Sequence, residues 1–112
     1  MVSINNTVKY SWGRNCFGWH LLKTENLGVI QEIMPPGTEE QLHWHKNVQQ
    51  FFYILKGEAT FTIDGKKEII NQFEGLGIEP GVIHNIRNNS KNNLEFLVIS
   101  QPHSHGDREN VI

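Results

Sequence analysis

The sequence predicts a single all-β domain built as a sandwich or a barrel. The apolar runs are short, they are rich in β-branched and aromatic residues, and glycine, proline, asparagine or aspartate separates them. No segment has the periodicity of a long amphipathic helix. With 112 residues, of which 38% are hydrophobic, the chain is long enough for one core and is not expected to be disordered.

The predicted strands follow one another at short intervals along the chain. In order, they are residues 8–10, 17–22, 27–34, 49–55, 59–63, 68–70, 76–78, 82–86 and 94–99. Many short strands spread evenly over a chain of this length are typical of a closed or two-layered sheet. No repeat or change in composition divides the chain, so we expect one domain over residues 1–112.

The run at 49–55 is apolar on both of its alternating faces. Phe52 and Ile54 lie on one face, and Phe51, Tyr53 and Leu55 lie on the other. A sheet that faces water on its outside is apolar on only one face. The second face should therefore be covered, either by another layer of this chain or by a partner subunit, and we predict a homodimer.

The strand at 59–63 is predicted to be half-buried and to end in a tight hairpin. Ala59, Phe61 and Ile63 alternate with polar residues, so one face of this strand is apolar. The Asp64-Gly65 pair that follows favours a type I′ turn, because both central residues of that turn need positive φ. The sequence therefore predicts a two-residue hairpin at this position.

Charge and composition exclude several classes of function. The net charge of −2 argues against a binder of nucleic acid or of anionic membranes. The chain contains neither a continuous apolar stretch typical of a signal peptide nor a run of about 18 apolar residues that could span a bilayer. The single cysteine, Cys16, is expected to be a buried thiol in a reducing compartment. We therefore expect a cytoplasmic protein that binds a small molecule, without a nucleic-acid or membrane partner.

The pair of histidines at positions 43 and 45 is the strongest candidate for chemistry. Residues two apart in a strand project from the same face, so both imidazoles can converge on one point. Imidazole binds zinc, nickel, copper and iron, and also manganese when oxygen ligands complete the site. By itself the pair is equally consistent with two exposed loop histidines.

Two longer segments resemble the two motifs of the cupin superfamily. The first motif is Gly, five residues, His-x-His, three or four residues, Glu, six residues and Gly; residues 37–57 fit every spacing, with Gln50 in place of Glu. Residues 75–88 resemble the second motif, in which the matching residues are Pro80, Gly81, His84 and Asn88. Gly81 directly follows Pro80, whereas the family has its glycine one residue further on.

The resemblance implies a small single-domain cupin, which is a jelly-roll barrel or double-stranded β-helix with a metal inside. Residue by residue, it implies that His43, His45, Gln50 and His84 hold one divalent transition-metal ion, which is zinc, nickel, manganese or iron. Residues 101–112 follow the second motif as a polar C-terminal tail. A barrel that has lost its metal, with the histidines retained, is the alternative.

Gln50 bears on the chemistry that such a site would perform. Three imidazoles and a neutral amide leave the charge of a divalent ion uncompensated, which makes the ion a stronger Lewis acid. This favours isomerase, lyase or hydration chemistry on a small polar sugar or keto acid, and the ligand set is similar to that of small cupins that linearise unsaturated uronic acids. An iron-dependent dioxygenase and a non-catalytic metal-binding or ligand-binding cupin are the alternatives. Gln50 could also hydrogen-bond a ligand histidine without binding the metal itself.

The substrate pocket is predicted from alternation next to these ligands. Phe52, Ile54 and Ile86 share strand faces with Gln50 or His84 and are expected to form an apolar wall. The histidines of the tail, including His105, are expected to be solvated. In the alternative, His105 or Arg108 closes over the mouth of the barrel and holds an anionic substrate. No general base is identifiable in the sequence.

Overall fold

Two antiparallel sheets form the molecule, and the residues that the computed structural model describes, 1–104 and 106–112, contain no helix. In chain order the strands are β1 (Lys9–Trp12), β2 (Cys16–Lys23), β3 (Gly28–Met34), β4 (His43–Trp44), β5 (Gln49–Lys56), β6 (Glu58–Ile63), β7 (Lys66–Asn71), β8 (Gly75–Ile78), β9 (His84–Arg87), β10 (Leu94–Gln101) and β11 (Glu109–Asn110). The predicted all-β class is confirmed.

The chain passes repeatedly from one sheet to the other. The strand order is β1-β2-β3-β10-β5-β8 in the six-stranded sheet and β11-β4-β9-β6-β7 in the five-stranded sheet. After β3 the chain crosses to β4, returns to β5 and crosses again to β6. This alternation produces the jelly roll of a double-stranded β-helix, in which the two sheets face each other.

The hydrophobic core lies between the inner faces of the two sheets. Phe61 and Ile86 of the five-stranded sheet and Ile54 and Phe96 of the six-stranded sheet are no more than 1% exposed. Cys16 is a fully buried free thiol, as expected. No helix long and apolar enough to cross a membrane occurs in the part of the chain that is described.

The hairpin predicted at Asp64-Gly65 joins β6 to β7. Ile63 pairs with Lys66, which leaves two residues in the turn. Their φ angles are 50° for Asp64 and 82° for Gly65, so both central residues are in the left-handed region. These are the signs of φ that a type I′ turn requires.

The outer face of the six-stranded sheet carries the apolar side chains of β5 that are predicted to be covered by another layer or by a partner subunit. Phe51 and Tyr53 of β5 pair in register with Ile99 and Leu97 of β10, so these side chains form one apolar surface. Phe51 is 43% exposed. The predicted homodimer, which would cover this surface, stays a prediction.

The end of the chain is more ordered than its polar composition predicts. Glu109 and Asn110 form β11, which pairs with Trp44 and His43 of β4 instead of extending into solvent. This order comes from tertiary contacts. Without β11, β4 would be the edge strand of its sheet, and pairing with β11 satisfies backbone groups that would otherwise lack partners.

Candidate metal centre

Three histidines of the five-stranded sheet face one another at its end. His43 opens β4 and His84 opens β9, and the two residues are direct partners in the antiparallel pairing. The centroids of their rings are 4.3 Å apart. His45 follows β4 immediately, and its ring centroid lies 5.0 Å from that of His43 and 5.7 Å from that of His84.

Backbone carbonyls hold each of the three rings in one tautomer. Nδ1 of His43 is 2.7 Å from the Gln41 carbonyl oxygen, and Nδ1 of His84 is 2.9 Å from that of Val82. Nδ1 of His45 bonds the carbonyl of Asp107. Because a carbonyl oxygen only accepts, each Nδ1 must carry the hydrogen and donate it. The lone pair of each imidazole is therefore on Nε2, which is the arrangement of metal-binding histidines.

The three rings are buried and neutral at physiological pH. His43, His45 and His84 are no more than 5% exposed, and one nitrogen of each lies within 4.8 Å of one nitrogen of the others. Burial is the main cause that lowers the pKa of His43 to about 3 and that of His84 to about 4, and it also lowers the pKa of His45. Neutral imidazole is the form that binds a metal ion.

A fourth donor approaches from the other sheet. Gln50 lies near the start of β5 and is 8% exposed. Its Nε2 donates to the Ser100 hydroxyl oxygen at 3.0 Å, which leaves Oε1 turned away from that partner. Oε1 of Gln50 and the Nε2 atoms of His45 and His84 are buried, and none has a hydrogen-bond partner among the described residues.

These unpartnered atoms fit a metal ion. Buried polar atoms in proteins almost always have a partner, so three of them in one small volume need an explanation. All three carry a lone pair, and none has a hydrogen to donate, so they cannot satisfy one another. Three imidazoles and an amide oxygen form a donor set that suits a first-row divalent cation.

A cavity of about 260 Å³ opens beside this cluster, between the two sheets. His43, His45 and Gln50 form part of its wall, together with apolar side chains such as Phe52 and Val98. Its polar lining residues come from distant parts of the chain, and they include Tyr10, Glu32, Glu40, Ser100 and Arg108. A site of this size accommodates a small molecule of a few heavy atoms.

Glu32, near the middle of β3, presents a carboxyl group to this cavity. Burial, followed by the charge of Glu40, raises its pKa to about 8. The Tyr10 hydroxyl donates to Oε2 of Glu32 at 3.3 Å, which stabilises the carboxylate form. Burial and this neighbouring carboxylate raise the pKa of Tyr10, so the phenol keeps its hydrogen. The Tyr10 ring can lie here because Gly18 is beneath it: a Cβ at Gly18 would overlap with the Tyr10 ring and hydroxyl.

Glu40 and Arg108 form a second polar pair at the cavity. Nη1 of Arg108 lies 3.5 Å from one carboxylate oxygen of Glu40. The other oxygen is buried and lies 3.7 Å from Nδ1 of His43. Burial raises the pKa of Glu40 to about 7, although the charge of Arg108 acts in the opposite direction. The cavity therefore contains two carboxyl groups that can change their protonation near neutral pH.

The residues predicted from the sequence fall into three groups. His43, His45, His84 and Gln50 come together at one end of the jelly roll, and Phe52 lines the cavity beside them. Ile54 and Ile86 do not line the cavity, contrary to the prediction; both are fully buried in the core between the sheets, because their strands place them on the inner faces. His105 lies outside the described residues. Arg108, which was considered only as part of a lid, reaches the cavity.

Several cavity residues were not predicted from the sequence, and Glu32 and Tyr10 are the pair among them that forms a hydrogen bond. The one available signal was a charged residue inside the apolar run 27–34, because a carboxyl group in a buried strand needs a partner or a function. Tyr10 gave no such signal, since an aromatic residue in a strand is ordinarily a core residue. Only the pairing of β1 with β2 and of β2 with β3 brings its hydroxyl to Glu32.

Comparison with known proteins agrees with this geometry. An uncharacterized protein of Methanocaldococcus jannaschii is 30% identical over 91 residues, which cover 80% of this chain and 73% of that protein. An oxalate-binding protein of Thermotoga maritima is 35% identical over 66 residues, which cover 59% of this chain and 54% of that protein.

A solved structure and a family profile complete the comparison. The crystal structure of a predicted oxalate decarboxylase from Thermotoga maritima is similar with a TM-score of 0.84 and 24% identity, and the match covers 92% of this chain and 99% of that one. Residues 30–100 match the profile of the cupin domain family, which covers both sequence motifs and the strands that carry the histidines. This chain belongs to the cupin family.

Proposed function

We propose that this protein is a metal-dependent cupin enzyme of the isomerase or lyase type, which moves a proton on a small polar molecule such as a sugar or keto acid. The observation that carries this proposal is the set of three histidines, each with Nδ1 bonded to a backbone carbonyl, whose Nε2 lone pairs are left for a ligand beside an acidic cavity. A purely structural role would not require three neutral imidazoles in contact at the end of a barrel.

The ligands of the metal would be His43, His45 and His84, with Oε1 of Gln50 as the fourth protein donor. A divalent transition-metal ion held there supplies a Lewis acid that polarises a substrate oxygen. All four protein donors are neutral, so they do not reduce the charge of the ion. Phe52 and Val98 add apolar surface to the wall of the cavity beside these donors.

Glu32 is the residue that we assign to proton transfer. With a pKa of about 8, the carboxyl group can gain or lose a proton near neutral pH. When Oε2 loses a proton, the hydroxyl of Tyr10 donates a hydrogen bond to the carboxylate and stabilises it. Arg108 is close enough for its positive charge to have the same effect. Burial thus favours the protonated form of Glu32, and Tyr10 and Arg108 stabilise the carboxylate form.

The size and polarity of the cavity indicate the class of substrate. A volume of about 260 Å³ excludes a large ligand, and carboxyl, guanidinium and hydroxyl groups in its wall match a molecule rich in oxygen. The relative from Thermotoga maritima carries the name of an oxalate-binding protein, and oxalate is a small anion of this kind. We infer a substrate with a carbonyl or carboxylate oxygen and an exchangeable proton on the neighbouring atom.

Elemental analysis of the untagged protein tests the metal site. We expect close to one transition-metal ion per chain in the wild-type protein. The His84→Ala variant should lose most of this metal, because the three remaining donors bind the ion more weakly than four. The matched control is His20→Ala, which removes an imidazole that lies outside the three-histidine cluster. If the wild-type protein is metal-free and stays so after incubation with divalent ions, the enzyme proposal fails and a binding or structural role replaces it.

The identity of the metal then separates this proposal from a dioxygenase. Zinc, nickel or manganese favours Lewis-acid chemistry, whereas ferrous iron together with oxygen consumption favours the dioxygenase. Turnover that persists in anaerobic buffer would contradict the dioxygenase.

We also propose that two copies of the chain associate through the outer face of the six-stranded sheet. The apolar surface formed by Phe51, Tyr53, Leu97 and Ile99 supports this, because a second copy presents the same surface and a twofold axis makes it self-complementary.

A further inference from the structure

The C-terminal residues 107–112 are packed against the segment that carries two of the metal-binding histidines. β11 pairs with β4 through Glu109 and Trp44 and through Asn110 and His43. The Val111 amide donates to the Leu42 carbonyl at 2.9 Å, and the Gln41 side chain donates back to the Val111 carbonyl at 2.8 Å. The C-terminal segment is thus the outermost strand of the sheet that builds the site.

The three histidines differ in where their orienting carbonyl comes from. His43 and His84 each donate to the carbonyl two residues before them, so the local strand geometry alone sets their tautomer. His45 donates to the carbonyl of Asp107, which is 62 residues away in the sequence. The orientation of this one ring therefore depends on the docking of the C-terminal segment.

The side chain of Asp107 holds its own carbonyl in place. One carboxylate oxygen accepts the Lys46 amide hydrogen at 3.0 Å, and the other accepts the Asn47 amide hydrogen at 2.9 Å. These two amides directly follow His45. The hydrogen bonds from these amides hold the pKa of Asp107 below its ordinary value, so the group is ionised at neutral pH. One residue thus binds the His45 ring with its backbone and the next two residues with its side chain.

We infer that Asp107 is a positioning residue of the metal centre, which selects the Nδ1–H tautomer of His45 and keeps Nε2 directed at the metal. The inference rests on the proposed function, since it assumes that His45 is a ligand. Residue 107 keeps its carbonyl in any substitution, but without the Asp107 carboxylate nothing ties that carbonyl to the backbone that follows His45. The carbonyl then no longer stays beside Nδ1, so both tautomers and both ring orientations of His45 become available. Binding of a metal ion must then select one tautomer and one orientation of the His45 ring, so the affinity of the site for the metal falls.

The first test measures zinc affinity by competition with a chromophoric chelator. We expect Asp107→Ala to weaken zinc binding about 10- to 100-fold, which is the usual effect of losing a partner that orients a ligand. Asp107→Asn retains an oxygen that can accept from the Lys46 amide, and it should bind zinc with intermediate affinity. Glu109→Ala removes an exposed carboxylate from the same segment and should leave the affinity unchanged.

The second test reads the tautomers of the metal-free protein by long-range ¹⁵N–¹H NMR of the histidine rings. In the wild-type protein all three rings should be Nδ1–H. In Asp107→Ala only His45 should become a mixture, while His43 and His84 stay as they are, a pattern that a general loss of stability would not produce.

The outcomes separate the two proposals. A wild-type protein that binds neither zinc nor nickel, manganese or iron contradicts the proposed function, and the NMR spectrum still decides the role of Asp107. Wild-type zinc affinity or an unchanged His45 tautomer in Asp107→Ala overturns the inference about Asp107. If Asp107→Ala does not fold, the zinc affinity of Asp107→Asn and the NMR spectrum of the wild-type protein test the inference instead. A His45 ring that does not carry its hydrogen on Nδ1 in the wild-type protein also overturns the inference.

Discussion

Glu32, the one charged residue of β3, determines much of what this cavity can do. Glu32 lies among the side chains that face the interior, where burial favours the protonated form. The hydroxyl of Tyr10 offsets part of that effect, because it donates to the carboxylate. The result is a group whose pKa of about 8 suits proton transfer at neutral pH, at the expense of stability.

That effect of Glu32 on stability depends on pH, and Glu32→Gln removes it. The folded pKa is about 8, whereas the ordinary value is 4.5, so between these values the folded protein holds a proton that the unfolded chain has lost. Rising pH therefore favours unfolding until Glu32 is ionised in both states. In urea unfolding of the metal-free protein, we expect the free energy of unfolding of Glu32→Gln to increase, relative to that of the wild-type protein, from pH 5 to pH 8.

The control for this measurement is a variant that loses an exposed carboxyl group instead of a buried one. Glu68→Gln removes an exposed carboxyl from β7, on the other sheet. Glu40 also titrates in this range and is present in every one of these proteins, and its charge acts on Glu32, so the difference between Glu32→Gln and the wild-type protein includes the interaction of these two groups. A difference between Glu32→Gln and the wild-type protein that is constant with pH, or an equal trend in Glu68→Gln, would contradict the assignment.

Among the secondary-structure elements, the connection from β5 to β6 shows how the chain changes sheets. Gly57 alone lies between Lys56, the last residue of β5, and Glu58, the first residue of β6. Its φ is +92°, in the left-handed region that favours glycine. A Cβ at this position would also lie 2.7 Å from the Asn93 carbonyl oxygen, so the neighbouring backbone leaves no room for a side chain.

Replacement of Gly57 by alanine should therefore destabilise the protein more than replacement of a glycine that has only the positive φ. Gly65 is the matched control, with a φ of +82° and no atom within 4 Å of the point that a Cβ would occupy. We expect Gly65→Ala to cost about 1–2 kcal/mol for the left-handed conformation. Gly57→Ala should cost about 1–3 kcal/mol more, because the backbone at Asn93 must move. Equal free energies of unfolding for the two variants would contradict this explanation.

At the level of the protein as a whole, the site belongs to both sheets. The three histidines come from the five-stranded sheet, whereas Gln50, Glu32 and Tyr10 come from the six-stranded sheet. The core residues between the sheets, including Ile54 and Ile86, hold the two groups at a fixed separation. The proposed metal ligands and the carboxyl group of Glu32 are therefore brought together only when the two sheets pack.

The proposed dimer is tested by sedimentation or by light scattering after gel filtration. We expect the wild-type protein to have the mass of two chains and Phe51→Lys to shift toward one chain, because a charge on the shared apolar surface would be buried without a partner. Ile69→Lys is the matched control, since Ile69 is 57% exposed on the outside of the opposite sheet. A wild-type protein with the mass of one chain would overturn the dimer, as would dissociation caused equally by both variants.

Local patterns in the sequence were enough to predict the fold class and the Asp64-Gly65 hairpin, and the resemblance of two short segments to the cupin motifs implied the four proposed ligands. Alternation of apolar residues reports which face of a strand is buried, and the turn depends on two adjacent residues. The spacing around His43, His45, Gln50 and His84 likewise extends over short segments. Such features are readable because their physical causes lie within a few residues.

The roles that we propose for Glu32, Tyr10 and Asp107 rest on the tertiary structure alone. Each of them acts on a partner that is distant in the sequence: Tyr10 lies 22 residues from Glu32, and Asp107 lies 62 residues from His45. The raised pKa of Glu32 depends on burial between two sheets, and the tautomer of His45 depends on the docking of β11 beside β4. Neither burial nor strand pairing over such distances has a local signature, so a carboxyl in a strand and an aspartate in a polar tail acquire their function only when the sheets close around them.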